Sequence, residues 1–169
     1  MRWPSLTLPL ACGSAVGLGA LAAAQFVGVF TLSPEGPAEG IVDELVVSSQ
    51  DQHGWAMLVL AVVALVALVV LLWGQIDEET RTGTVVQTAA AALAVTGLIA
   101  LLIFLIIALP DANRIGALGN ETGSFLGARA VPQLGFWLEL IGSLLIFGCG
   151  GTLAYSSLTA ERIEEPELG

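Results

Sequence analysis

One acidic residue, Glu139, interrupts an otherwise apolar stretch, FWLELIGSLLIFGCGG, that covers residues 136–151. A carboxylate inside a membrane-spanning helix is rare and is a functional candidate by default, because burying its charge in hydrocarbon is costly. Glu139 follows Trp137 by two residues, so we expect it about one to two turns below the membrane interface, where the cost is smaller. Three interpretations stay open: a structural hydrogen bond, a contact with a partner helix, and a place on an ion or proton pathway.

Two glutamines are the other polar candidates within apolar sequence. Gln25 lies toward the end of the first apolar block, and Gln87 lies near the start of the third, where it is available for contacts between helices. If the first block runs outward and the fourth runs inward, Gln25 and Glu139 lie at a similar depth. A hydrogen bond between these two side chains is then compatible with the layout.

The remaining inventory of reactive residues excludes most membrane chemistry. The chain has one histidine, His53, and no lysine, which excludes bis-histidine haem ligation within one chain and a retinal Schiff base. Cys12 and Cys149 form no Cys-x-x-Cys pair, and Ser143 has no base in any span. We therefore predict a non-enzymatic protein without cofactor or metal. His53 is interpreted as an interfacial residue, with a ligand or a pH sensor as alternatives.

An acidic segment precedes His53. Its carboxylates match no EF-hand spacing, so we favour a solvated acidic loop over a calcium site. They are Glu35, Glu39, Asp43, Glu44 and Asp51. The middle of this segment, GIVDELVVSSQ, could form a short helix or strand lying on the membrane.

The elements that position these residues are four apolar blocks, in a chain that is 56% hydrophobic and only 12% charged. Each block is at least as long as the roughly 20 residues that cross a bilayer as a helix, and their uninterrupted apolar character excludes an alternating barrel. The blocks cover residues 8–31, 55–74, 83–109 and 133–155. We predict an all-α integral membrane protein, one domain over residues 1–169, whose four transmembrane helices form an up-down bundle.

Aromatic residues support these boundaries. Trp55 and Trp73 are 18 residues apart, as are Trp137 and Tyr155, which is about 27 Å of helix. Trp and Tyr concentrate at both membrane interfaces. We therefore predict that these four residues and His53 are interfacial.

The orientation follows from the arginines. With a cytoplasmic amino terminus, three arginines are inside (Arg2, Arg81 and Arg162) and two are outside (Arg114 and Arg129). The positive-inside rule favours this arrangement by a small margin. It places both termini, the acidic tail 156–169 and one short turn in the cytoplasm, and two long loops, 32–54 and 110–132, outside. Composition suggests the plasma membrane of a bacterium or archaeon; cleavage of the first block as a signal peptide after Ala24 remains an alternative.

Small residues predict how the helices pack, since close backbone approach drives helix association in lipid. The first and fourth blocks carry most of them, so we predict a tight seam between these two helices. The candidate packing residues are Gly13, Gly17, Ala24 and Gly28 in the first block and Gly142 and Gly148 in the fourth.

These observations favour a protein that acts by association, as an accessory subunit of a membrane complex or as a homo-oligomer. The alternative is a small oligomeric channel or transporter in which Glu139 and Gln25 form a polar path. A formal net charge of −10 makes nucleic acid a poor partner, so the expected partners are membrane lipid and other membrane chains or a second copy. No family is assigned, because the four-helix claudin and tetraspanin patterns require extracellular cysteines that this chain lacks.

Overall fold

The computed structural model describes residues 7–34, 44–76, 83–112, 115–120 and 123–164. These residues form six α-helices, one π-helical stretch and four β-strands. The helices are α1 (Thr7–Ala24), α2 (Ser49–His53), α3 (Ala56–Ile76), α4 (Gly83–Ile103), α5 (Leu109–Asp111) and α6 (Leu134–Glu164). The strands are β1 (Gly28–Pro34), β2 (Leu45–Ser48), β3 (Ile115–Asn120) and β4 (Gly123–Pro132).

Four helices are long and apolar enough to cross a membrane, as the sequence predicts. They are α1, α3, the continuous helix formed by α4 and α5, and α6. A π-helical stretch, Phe104–Ala108, joins α4 to α5 just before Pro110. Proline cannot donate a backbone hydrogen bond, and the wider turn has the Leu109 N–H bonded to the Phe104 carbonyl instead.

The prediction of an all-α fold is incomplete, because residues of both long loops form one antiparallel sheet. The strand order is β2-β1-β4-β3, so β1 and β4 are central. The first two strands of the chain thus pair with the last two through the contact between β1 and β4. Thr31 of β1 lies opposite Val46 of β2 and Val131 of β4. Hydropathy alone counted residues 28–31 as the end of the first span, whereas α1 ends at Ala24 and those residues belong to β1.

The helices form a ring in which α6 packs against α1 and α4, and α3 completes the ring by contacting α1 and α4. The sheet caps one end of this bundle, and we call this end the sheet side. Three aromatic rings join the two layers: Phe136 of α6 lies 5.6 Å from Phe30 of β1 and 4.8 Å from Phe104, between ring centroids. The start of α6 is also tied to β1, because the Gln133 N–H donates to the Val29 carbonyl at 2.8 Å.

Candidate functional site

Glu139 is fully buried at the sheet side of the bundle, with 0% of its surface exposed. One carboxylate oxygen accepts a hydrogen bond from the Ser49 hydroxyl at 2.6 Å. The ring Nε2 of His53 lies 3.1 Å from Oε1 and 3.2 Å from Oε2, and the side chain of His53 is only 2% exposed. Glu139 therefore holds two side chains of α2 at once.

The short helix α2 is built to present those two side chains together. Ser49 and His53 are four residues apart, so they lie on the same face of a helix. The helix begins with a capping box: the Ser48 side chain accepts from the Asp51 N–H at 3.3 Å, and the Asp51 carboxylate accepts from the Ser48 N–H at 3.0 Å. Gly54 ends the helix with a φ of 61°, a left-handed conformation that favours glycine.

Gln25 belongs to the same cluster, but its contact with Glu139 is indirect. Its Nε2 donates to the Gly54 carbonyl at 3.0 Å, and its Oε1 lies 3.5 Å from the Ser49 hydroxyl. Ser49 thus lies between Gln25 and Glu139, for which a direct hydrogen bond was predicted. The structure brings Gln25, His53 and Glu139 into one cluster with Ser49, which we call the Glu139 cluster.

Two buried polar atoms next to the cluster have no hydrogen-bond partner within the described residues. They are Nδ1 of His53 and Oε1 of Gln52, on consecutive residues of α2. An imidazole Nδ1 donates a hydrogen bond only when it is protonated, whereas an amide oxygen always accepts. Successive residues of a helix point in different directions, so each of these two atoms lacks a partner of its own.

The exposed side of α2 carries an acidic residue, Asp51, which belongs to the capping box. Hydrogen bonds from the Ser48 side chain and then from the Ser48 backbone hold the pKa of the Asp51 carboxyl below its usual value of 3.8. The charged form of Asp51 is thus favoured by the capping box. This contribution to the stability of α2 is present above the usual pKa and is lost as the pH falls below it.

The chemistry open to the Glu139 cluster is hydrogen bonding and proton binding. The Ser49 hydroxyl donates its hydrogen bond to the Glu139 carboxylate rather than to the imidazole, and Ser49 is 0% exposed. Ser49 is therefore not accessible as a nucleophile. The described part of the chain contains no group of three or more His, Cys, Asp or Glu side chains placed to hold a metal ion. Glu35, Glu39 and Asp43 of the acidic loop, for which a calcium site was the less favoured alternative, lie outside the described residues.

Glycines fix the helix that carries Glu139. A Cβ added at Gly17 of α1 would lie 2.8 Å from the Gly142 carbonyl oxygen, and one at Gly13 would lie 2.7 Å from Cys149 Sγ. Ala24 is fully buried close to Gln25 at the end of α1. The Ser143 hydroxyl donates to the Glu139 backbone carbonyl. The α1–α6 contact thus positions Glu139 on a closely packed backbone.

A second seam, between α4 and α6, was not anticipated. A Cβ at Gly150 would lie 2.6 Å from the Ala94 nitrogen, and Gly97 lies against the Phe147 backbone. Gly148 faces open space, and Gly28 lies in β1, where its added Cβ would meet Val46. Which glycines face a neighbour depends on how each helix is rotated, and residue type alone does not give that rotation.

The remaining candidates lie apart from the Glu139 cluster. Gln87 is half-buried in α4, in the half of that helix remote from the sheet. The four aromatic candidates are all exposed on the bundle surface, at 53% for Trp55, 62% for Trp73, 52% for Trp137 and 73% for Tyr155. Their outward positions fit interfacial side chains of a membrane protein. Arg2, Arg81 and Arg114, which underlie the predicted orientation, lie outside the described residues.

Sequence reasoning missed Ser49, the residue at the centre of the cluster. A serine in an acidic loop has the appearance of a solvated residue. The available signal was the Ser-x-x-Asp pattern at residues 48–51, which marks a helix start and would have placed Ser49 and His53 on one helical face. No protein-family model, curated protein or solved structure matches this chain. The geometry of its own residues is therefore the basis for assigning it a function.

Proposed function

We propose that this protein is a non-enzymatic multi-pass membrane protein that acts by association with another membrane chain or with a second copy of itself. The observation that carries the proposal is a groove of about 540 Å³ between α3 and α4, on the membrane-spanning part of the bundle. Its walls are valine, alanine and threonine. They comprise Val62, Val63, Val66, Ala67 and Val70 of α3, and Thr84, Val85, Thr88, Ala89 and Ala92 of α4.

The groove has the side chains of a helix-docking surface. Valine and threonine lose little rotamer freedom when they are covered, and alanine permits close backbone approach. From Val62 to Val70 the groove follows about 12 Å of helix, enough for side chains from two successive turns of another helix. Glycine contacts close the α1–α6 and α4–α6 seams, whereas α3 and α4, which approach closely at Gly74 and Val86, leave the groove between them available to a partner.

The state of the polar residues also supports association over transport. Gln25 and Glu139 are 4% and 0% exposed, and their polar atoms bond to Gly54, Ser49 and His53. In a channel or transporter, polar side chains that line the path must face water or an ion. In the single chain these buried polar side chains instead join α2 to the bundle, which is a structural role.

The cellular setting is part of the proposal. The four apolar helices make this a membrane protein. Composition favours the plasma membrane of a bacterium or archaeon, and the arginine distribution favours cytoplasmic termini with the sheet outside. Modification of single introduced cysteines by a membrane-impermeant thiol reagent tests this orientation: Gln50→Cys should react in intact cells and Ser157→Cys should not.

Photo-crosslinking in native membranes tests the association. A benzophenone amino acid at Val66, in the groove, is compared with one at Val16 of α1; these residues are 57% and 65% exposed and both belong to spanning helices. Association through the groove gives a discrete protein adduct from position 66 and lipid adducts only from position 16. Lipid adducts alone from both positions would refute the proposed surface. Mass spectrometry of the adduct separates a second copy from a different chain.

A substitution that fills the groove provides the matched control. Ala92 lines the groove, and its neighbour Ala91 is exposed on a different side of α4. Ala92→Leu should reduce the adduct formed from position 66 several-fold, since the added atoms occupy the docking space. Ala91→Leu adds the same atoms outside the groove and should leave the adduct unchanged.

A further inference from the structure

We propose that the partner in the α3–α4 groove is a second copy of this chain, and that the α3 helices of the two copies pack as a parallel, left-handed pair. This inference rests on the proposed function and adds the identity of the partner and the geometry of the contact. The contact surface is a row of exposed residues along α3. The row consists of Trp55, Val59, Val62, Val66, Val69 and Trp73, and we call it the valine ridge.

The spacing of the valine ridge is that of a helix pair. Its successive members are alternately four and three residues apart. This is the 3.5-residue period of a coiled coil, which keeps one face of a helix against a second helix in a left-handed pair. Every member of the ridge is between 53% and 62% exposed. The ridge therefore has the period of a helix contact and lies on the outer surface of the described chain.

The opposite face of α3 shows the same spacing where it is covered. A second row of residues repeats at intervals of four and three and is at most 5% exposed. It consists of Met57, Ala61, Ala64, Leu68 and Leu71. This buried row faces the bundle, in which α3 contacts α1 and α4. Thus α3 has two faces with the period of a helix pair, one covered within the chain and one open.

Residue type distinguishes the valine ridge from an ordinary lipid-facing surface. All six valines of α3 are exposed, four in the ridge and two, Val63 and Val70, beside it. The exposed side of α4 is mixed instead, with Val95, Leu98, Ile99 and Leu102. Lipid tails are as apolar as leucine and do not select valine. In a helix, valine is almost fixed in one rotamer, so it loses little entropy when another helix covers it. The uniform ridge therefore favours a helix over lipid as its neighbour.

A second copy fits the valine ridge better than a different chain does. Copies inserted in the same orientation pair about a two-fold axis along the membrane normal, so their α3 helices are parallel and each ridge residue faces its own counterpart. Facing β-branched residues suit a two-stranded pair. Between its terminal tryptophans the ridge has no polar side chain that would select another chain. Residues 54–76 also contain no acidic or basic residue, so two acidic chains meet there without like-charge repulsion.

The ridge also offers enough surface for a stable pair. A fully exposed valine side chain presents on the order of 100 Å² of apolar surface, and a tryptophan about 200 Å². At the exposed fractions of the ridge and of Val63 and Val70, the contact covers roughly 500 Å² of each chain, or about 1,000 Å² in total. A specific interface needs about 1,000 Å². The groove adds contact with α4, because Val62 and Val66 of the ridge also line the groove.

Disulfide crosslinking in native membranes tests the pair. Single cysteines are introduced into a chain that carries Cys12→Ala and Cys149→Ala, and the membranes are oxidised with copper phenanthroline. Since a parallel pair brings each ridge position close to the same position of the second copy, Val62→Cys and Val66→Cys should form disulfide-linked dimers. Leu65→Cys is the control, because Leu65 is 46% exposed but lies outside the ridge, and its dimer yield should be several-fold lower. Equal yields at the three positions, or no dimer at positions 62 and 66, would overturn the inference.

Two conservative substitutions test the same contact without introduced cysteines. Val66→Leu changes the shape of the ridge, and Val95→Leu makes the same change on the mixed surface of α4; these valines are 57% and 54% exposed. Energy transfer between chains labelled at the carboxyl terminus measures their association in liposomes. Association should weaken several-fold in Val66→Leu and stay at the wild-type level in Val95→Leu. No transfer in the wild type, or wild-type transfer in Val66→Leu, contradicts the proposed pair.

The two crosslinking experiments at position 66 separate this inference from the proposed function. A benzophenone adduct with a different protein, together with no disulfide-linked dimer, would retain association through the groove and overturn the second copy as its partner. Lipid adducts alone, together with no disulfide-linked dimer, would refute both. A benzophenone adduct with a second copy and a disulfide-linked dimer would support both.

Discussion

Removing the hydroxyl of Ser49 should release α2 far more than removing a matched hydroxyl elsewhere. Ser49 donates to the buried Glu139 carboxylate at 2.6 Å, and it is itself 0% exposed. A hydrogen bond to a charged group contributes about 1.5–3 kcal/mol, and water cannot replace the missing donor at a closed site. Because 1.4 kcal/mol corresponds to a factor of ten, Ser49→Ala should weaken the docking of α2 by about 10- to 150-fold.

Ser33 provides the control for this substitution. Its hydroxyl also donates to a glutamate carboxylate, Glu44, at 3.0 Å, but that pair is exposed to water. Water can take over as donor, so Ser33→Ala should change the protection by less than about three-fold. Hydrogen exchange of the segment 49–55 near pH 6 measures both variants. Equal protection in wild type and Ser49→Ala would refute the reasoning that Glu139 holds α2 through Ser49.

Further expectations concern the helix seam and the capping box. Gly142→Val should destabilise the bundle by several kcal/mol, because its Cβ would lie 2.8 Å from the Gly17 carbonyl oxygen, whereas Gly148→Val meets open space and should be nearly neutral. Detergent unfolding curves of the two variants test this difference, and similar curves would contradict the seam. Asp51→Asn should reduce the acid sensitivity of α2, since the charged capping carboxylate is then absent. Exchange between about pH 5 and pH 3 checks this, and an unchanged acid profile would exclude the cap as its source.

The spans were predictable because their apolar runs are long enough to determine the structure by themselves. In α3, no polar side chain interrupts residues 56–72, and only a membrane helix buries such a run. The end of the first span was not predictable in this way. Residues 28–32 are also mostly apolar, but they belong to a strand because β2 and β4 pair with it, and β4 lies far away in the sequence.

The site was partly predictable for a related reason. Glu139 and Gln25 are unusual at their positions, so residue type and depth alone single them out. Ser49 and the role of His53 depend on the local start of α2 and on its docking against α6. Helix rotation was equally out of reach: Gly142 and Gly150 face different neighbours, and Gly148 between them faces none.

A direct distance measurement tests the central claim that His53 and Ser49 of α2 converge on Glu139. Solid-state NMR of the full chain in liposomes, with nitrogen-15 in histidine and carbon-13 in the glutamate side chains, detects a dipolar coupling between the imidazole and a carboxyl carbon. With Nε2 at 3.1 and 3.2 Å from the two carboxylate oxygens, we expect a strong coupling in the wild type that is lost in Glu139→Gln. No coupling in the wild type, or a coupling that survives this substitution, would contradict the account.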